Sequence, residues 1–196
     1  MVTLSQYNAE RLLTDDAFFR EMYHLVSLTR QRKVDKIKVP EVRAVSLAAG
    51  ILIKNMCDAW HIDSKRIITN EHGKPMIPGG KPPYFSISHK HKIAVLAVSK
   101  DNQVGVDIEF IGMYREAMVK RFYTKAEIAF LDGIQDERKK REEFYRMWTM
   151  KEAYGKLVGD GLSTGLVFDT TMQYTSLKFT HQFVEKDYIV TICEKF

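Results

Sequence analysis

Val104-Gly105-Val106-Asp107-Ile108-Glu109 alternates in character along its length, and this period of two predicts a half-buried β-strand. Val104, Val106 and Ile108 go to one face, while Gly105, Asp107 and Glu109 go to the other. The two carboxylates therefore point the same way, their Cα atoms roughly 6.5–7 Å apart by strand rise. Two such side chains can converge on one hard cation such as Mg²⁺, with Gly105 expected to leave space beside them. A D-x-E pattern by itself is more often the solvent face of a strand.

Upstream, Phe85-Ser86-Ile87-Ser88-His89 and the apolar run 93–98 read as strands separated by short polar turns. With 104–109 they suggest an antiparallel meander. Before them, Phe18, Phe19, Met22, Tyr23, Val26 and Leu28 predict an amphipathic helix over 15–28. Residues 42–56 predict a second helix, with Pro40 at its start, where a first-turn proline is tolerated. His72-Gly73-Lys74-Pro75 and Pro78-Gly79-Gly80-Lys81-Pro82-Pro83 are loop signals around Met76-Ile77, and a first strand near 2–4 is barely marked.

Downstream, Thr124-Lys125-Ala126-Glu127 has the form of a capping box opening a helix that continues through 128–131. A long helix is expected over 137–158, then strands over 177–184 and 188–193 around a turn at 185–187. The order helix, helix, strands occurs twice. It predicts an α+β chain of two similar halves, 1–102 and 103–196, without a residue-level repeat.

The chain has 196 residues, 45% hydrophobic and 28% charged, which is enough to bury a core in one large domain or two small ones. Its start lacks the basic-then-apolar order of a secretory signal, and no apolar run approaches the roughly 20 residues that span a bilayer. Cys57 and Cys193 lie far apart without C-x-x-C spacing, so zinc clusters and disulfide frameworks have no support and a reducing cytoplasm is expected. The formal charge of +5 admits an acidic partner, although dispersed basic groups such as 30–38 and 138–141 are more often solvated faces.

Two further pieces carry chemistry. Phe144, Trp148, Glu152 and Lys156 recur every four residues on the long helix and form one stripe, in which a carboxylate and an ammonium stand one turn apart. The strand ending Ser88-His89-Lys90 offers a hydroxyl, an imidazole and an amine, groups that bind phosphate. Alone, the first would be a surface ion pair and the second a structural histidine.

Together with their flanks, these pieces form an ordered set: Gly73-Lys74-Pro75, Phe85-Ser86-Ile87-Ser88-His89, Val104-Gly105-Val106-Asp107-Ile108-Glu109, Trp148-Thr149-Met150-Lys151-Glu152-Ala153-Tyr154-Gly155-Lys156 and Gly159-Asp160-Gly161-Leu162-Ser163. The set resembles the signature blocks of 4′-phosphopantetheinyl transferases of the surfactin-synthetase-activating type. It spans 73–163, and weaker similarity, including 30–43, extends over most of the chain. Thr149 stands where serine or cysteine is commoner. Gly155 replaces a larger residue, with an expected loosening of the helix by up to about 1 kcal/mol.

The resemblance implies an enzyme, a holo-carrier-protein synthase. It would move the 4′-phosphopantetheine arm of coenzyme A, its co-substrate, onto a serine hydroxyl of an acyl or peptidyl carrier protein and release 3′,5′-ADP. It implies a pseudo-dimer of two α+β halves, each a small antiparallel sheet packed against helices, with the active site in the cleft between them. Asp107, Glu109 and Glu152 become the implied ligands of Mg²⁺, or of Mn²⁺ in its place. Lys156 is then expected on the pyrophosphate, and Lys74, Ser88 and His89, helped by Arg43, Arg30 and Lys33, on the nucleotide and its 3′-phosphate. Glu152, Lys156 and His89 form the implied catalytic set, Glu152 being the candidate base for the hydroxyl proton. The implied setting is a cytoplasmic monomer that meets an acidic carrier and neither nucleic acid nor membrane. Segment 113–123, with Tyr114, Phe122 and Tyr123, is the expected docking surface. A Mg²⁺-dependent phosphodiesterase or nuclease would also use three carboxylates and a lysine. A basic nucleic-acid-binding module is the non-catalytic alternative, although no familiar motif for one occurs.

Overall fold

Strand β5 (Ile93–Ser99) is buried along its whole length, as its apolar composition demands, and it organises the amino-terminal part of the chain. In this computed structural model, which describes residues 1–160 and 165–196, β1 (Val2–Asn8) pairs with one edge of β5 and β4 (Tyr84–Lys90) with the other. Both pairings are antiparallel, giving the order β1-β5-β4. Helix α4 (Pro40–Ala59) packs Leu47, Ala48, Ile51 and Leu52 against Phe85, Ala94, Leu96 and Val98 on one face of that sheet. Pro40 occupies the first turn, where its missing N–H costs nothing.

Helix α1 (Glu10–Thr14) precedes α2 (Asp16–Leu25), whose N-cap Asp15 accepts from the Phe18 amide. The single helix expected over 15–28 is in fact broken. Val26 turns extended, and Ser27 caps a new helix, α3 (Leu28–Asp35), by accepting from the Arg30 amide. A serine offering its hydroxyl to free amides stabilises a fresh start as well as it tolerates continuation. Short strands β2 (Ile68–Thr69) and β3 (Pro75–Met76) pair around a turn in which Gly73 has φ of 81°.

The expected meander is corrected by β6 (Val104–Phe110), which leaves the first sheet. Both edges of β5 are already occupied, one of them by β1, the strand that the sequence barely marks. β6 pairs instead with β8 (Tyr188–Lys195), which also carries β7 (Leu177–Val184), in the antiparallel order β6-β8-β7. The chain is thus α+β, and it forms two compact units, Met1–Asp101 and Asn102–Phe196.

In the second unit, helix α5 (Glu116–Phe122) and helix α6 (Lys125–Asp132) build a core with α7 (Glu137–Val158) around Tyr123, Leu131, Phe144, Tyr145, Met147 and Trp148. The capping box at α6 is complete in both directions between Thr124 and Glu127. Asp136 caps the start of α7, and Gly159, with φ of 87°, closes its end.

Helix α7 lies directly on β6 because Gly105 has no side chain. A Cβ there would fall 1.9 Å from the Ala153 carbonyl oxygen and 2.6 Å from the Leu157 nitrogen. The space beside the carboxylates that Gly105 was expected to leave is therefore filled by helix backbone. A second backbone crossing occurs at Gly165, whose Cβ would meet the Lys151 oxygen at 2.3 Å and the Gly155 Cα at 3.5 Å. Gly155 is thus not simply a weak point in the helix. It is where another segment passes at backbone distance. Among the described residues, no helix is long and apolar enough to cross a membrane. The part of the fifth block at Gly161-Leu162-Ser163 lies outside the described residues.

Gly105→Ala is expected to lower stability by at least about 2 kcal/mol, since the added methyl meets rigid backbone on both sides. Urea unfolding followed by circular dichroism should show a reduced midpoint with little change in slope.

Candidate active site

Asp107 is buried in β6, and Lys156, half-buried on α7, donates from Nζ to its Oδ1 at 2.5 Å. The close seat at Gly105 makes this pair. Two residues along β6 from that contact is Asp107, and three residues along α7 from Ala153 is Lys156, one turn beyond Glu152. Glu109 and Glu152 are half-buried.

Among the described residues, no three histidine, cysteine, aspartate or glutamate side chains are grouped to hold a metal ion. The structure joins Asp107 to Lys156 and does not gather Asp107, Glu109 and Glu152 into one cluster. The Lys156 ammonium compensates the charge of Asp107. The donor set does fit a hard divalent ion, being all carboxylate oxygen, and the ammonium on Asp107 marks a position that accepts positive charge.

Lys151, next to Glu152 in sequence, has a different fate. It is 1% exposed and pairs at 2.9 Å with Glu127, which is 0% exposed, while also donating to the Phe168 carbonyl. Glu127 accepts from the Thr124 amide at 2.8 Å and from the Thr170 amide and hydroxyl at 2.8 and 2.7 Å. Its charge is thus compensated on every side, as burial requires. This pair ties α6, α7 and the 168–170 segment together. The sequence marked Glu127 only as a helix cap.

A chain of hydroxyls fastens α7 to the sheet. Thr149 Oγ1 donates to the Arg146 carbonyl at 2.9 Å, so the 2.6 Å contact between Thr149 and Thr191 has Thr191 as donor. The Thr191 oxygen then accepts from His181 Nδ1 at 2.9 Å, which fixes the tautomer of the ring. Register places Thr191 opposite Asp107 on one side and His181 on the other. His181, Thr191 and Asp107 form one row across the sheet. The departure at Thr149 is functional in this sense: serine would supply the same hydroxyl, and valine would not. Burial lowers the pKa of His181 to about 4, aided by the positive charge of Arg146 and opposed by Glu143.

In the first unit, Arg30 and Lys33 stand one turn apart on α3. Arg30 is half-buried, and its Nη1 donates to the Ser46 carbonyl on α4 at 3.4 Å. The Ser46 hydroxyl is buried and has no hydrogen-bond partner among the described residues, a feature the sequence did not signal. Desolvation pushes the Lys33 ammonium below the usual lysine range, and the charge of Arg30 adds to the effect. Burial does the same to Lys74. Arg43 is exposed, with its guanidinium 4.8 Å from the Phe19 ring centroid. Ser88 is buried and His89 exposed, and strand alternation sends them to opposite faces of β4.

The aromatic residues expected to form a docking surface are mostly core. Tyr123 stacks on Phe144 and donates its hydroxyl to the Phe144 carbonyl at 2.8 Å, and burial pushes that phenol up. Phe122 packs on Trp148 and Tyr114 on Phe144. Their spacing served α5 and α7, not the surface. Met113, Arg115, Lys120 and Arg121 remain exposed.

Residues 103–193, which hold Asp107, Glu109, Lys151, Glu152 and Lys156, match the family model described as the 4′-phosphopantetheinyl transferase superfamily. This stretch is similar to that superfamily over 91 of the 196 residues. The transferase resemblance extends further in individual relatives. The 4′-phosphopantetheinyl transferase Sfp of Bacillus subtilis is 29% identical over 167 residues, 83% of this chain and 69% of Sfp. The transferase HetI of Nostoc is 38% identical over 81 residues, 40% of this chain and 34% of HetI. The L-aminoadipate-semialdehyde dehydrogenase-phosphopantetheinyl transferase of Xenopus laevis is 29% identical over 140 residues, covering 64% of this chain and 46% of that protein. The chain thus spans between about a third and about two thirds of the length of these transferases.

The half-buried His181, neutral at its hydrogen bond to Thr191, makes stability depend on pH. Its folded pKa of about 4 lies below the ordinary 6.5, so its contribution is complete above pH 6.5 and is lost as pH falls from there towards 4. Thermal midpoints measured across that window should fall more steeply in the native chain than in His181→Gln.

Proposed function

We propose that this chain transfers the 4′-phosphopantetheine arm of coenzyme A to a serine hydroxyl of an acyl or peptidyl carrier protein. The observation that carries the reading is the Asp107–Lys156 pair, set over the Gly105 seat within the stretch that matches the superfamily model. It puts a carboxylate that accepts a cation and an ammonium that accepts phosphate at one place. In this reading the two halves form a pseudo-dimer with coenzyme A between them, supported by the family resemblance. A cytoplasmic, monomeric setting belongs to the same reading.

Asp107, Glu109 and Glu152 would hold Mg²⁺, or Mn²⁺, as an all-oxygen set. Bound there, the ion would offset the charge of the pyrophosphate. Lys156 would exchange its contact with Asp107 for a pyrophosphate oxygen. Arg30, Lys33 and Lys74 would bind the nucleotide end, where the charge of a phosphate would offset the desolvation that lowers the affinity of each for its proton. Ser88 and His89 face opposite ways, so they would hold different groups of the nucleotide, and Arg43 would act from the exposed side. Glu152 would take the proton of the carrier serine at a carboxylate oxygen as the serine Oγ bonds to the β-phosphorus. The bond from that phosphorus to the bridging oxygen breaks, and 3′,5′-ADP leaves.

An acidic carrier would meet the exposed basic residues beside Met113, since the aromatic residues there are committed to the core. Charge reversal at Arg115, Lys120 or Arg121 should raise KM for the carrier more than KM for coenzyme A, and equal effects on both would remove this docking assignment.

Incubation of an apo-carrier with coenzyme A and Mg²⁺ should add the mass of one phosphopantetheine arm to the carrier. Asp107→Ala, Glu109→Ala and Glu152→Ala should each abolish that gain with the fold retained by circular dichroism. Hydrolysis of coenzyme A with the carrier unchanged, or full activity in all three variants, would overturn the proposal.

A further inference from the structure

Gly50 lies in the middle of the 20-residue helix α4, where glycine is less favourable than alanine. Nothing about the backbone requires it, since α4 continues through Gly50 as regular helix. What requires it is the side chain of Arg30. A Cβ on Gly50 would fall 2.5 Å from Arg30 Cγ, 3.0 Å from Cδ and 3.3 Å from Nε. The stem of Arg30 therefore lies flat across the bare helix surface at Gly50. One turn earlier on the same face of α4, the Ser46 carbonyl accepts from Arg30 Nη1 at 3.4 Å. Beside that carbonyl is the buried Ser46 hydroxyl that no described residue partners.

We infer that Gly50 is a positioning residue. Its missing side chain forms a groove that lays Arg30 along α4, so that the guanidinium is held beside Ser46 and Lys33 for an anionic ligand. Arginine loses rotamer freedom when fixed, and a groove that fixes it before the ligand arrives removes that cost from binding. With alanine at position 50 the stem must lift, and the guanidinium leaves the place where it meets the ligand. The ligand end of this inference rests on the coenzyme A reading above, while the seat of Arg30 on Gly50 stands apart from it.

The test is a cycle of four proteins: the native chain, Gly50→Ala, Arg30→Ala and the double variant. For coenzyme A, Gly50→Ala should weaken binding by about tenfold or more in calorimetry, the range for losing a hydrogen bond from a charged group. It should raise KM for coenzyme A while kcat is kept. In the Arg30→Ala background the same substitution should leave affinity unchanged, because the residue it displaces is already gone. Thermal midpoints give a second readout that needs no ligand. Gly50→Ala should raise the midpoint in the Arg30→Ala background, as in any open helix, and should fail to raise it, or lower it, in the native background. If Gly50→Ala folds only together with Arg30→Ala, that too supports the seat. Equal midpoint shifts in both backgrounds, or affinity losses that multiply, would overturn it. A native chain that does not bind coenzyme A would instead defeat the functional reading, and the midpoint cycle would still decide the role of Gly50.

Discussion

The contact on which the second unit depends is made by backbone alone. At Gly105 the chain of β6 and the chain of α7 come closer than any side chain would permit, so the helix can neither rise from the sheet nor slide along it without losing that fit. Everything chemically interesting follows from the position so fixed. Lys156 reaches Asp107 because both lie a short, determined distance from the same contact. Gly165 repeats the device from another segment, where Gly155 gives way to it.

Polar groups then lock what the glycines allow. The Lys151–Glu127 pair is buried, and the hydroxyl chain from His181 through Thr191 and Thr149 to the Arg146 carbonyl is directional with a buried centre. Each would be a liability if only half made, since an unmet charge or donor in an apolar setting costs more than a formed bond returns. Fully made, they select one arrangement of α7. A hydrophobic interface alone would tolerate neighbouring registers.

Much of this was legible in the residues. The period of two at 104–109, the capping box at Thr124 and the apolar stripe of α7 are local signals, and local physics decides them. The partner of a strand is not a local property. β6 reads like the third strand of a meander because nothing in its own sequence says that β5 is already full. β1, with alternating polar residues and an exposed edge, gave little hydrophobic signal, yet it took the place. The same limit explains Glu127 and Ser46. A buried charge looks like a surface charge until its partners, 24 residues away for Lys151 and 43 for Thr170, are known. The glycines were visible, but whether a glycine leaves a gap or admits a neighbour is settled only by what comes to lie against it.

Lys151 and Glu152 are adjacent letters of one motif, yet they face different environments. The ammonium is sealed into the joint between two helices and a loop, and the residue that carries the carboxylate is only half-buried. Loss of activity on replacing either would look alike in an assay of turnover. Only a comparison of folding for the two variants would tell a hinge pin from a tool, and a scan that scored product alone would assign both to the chemistry.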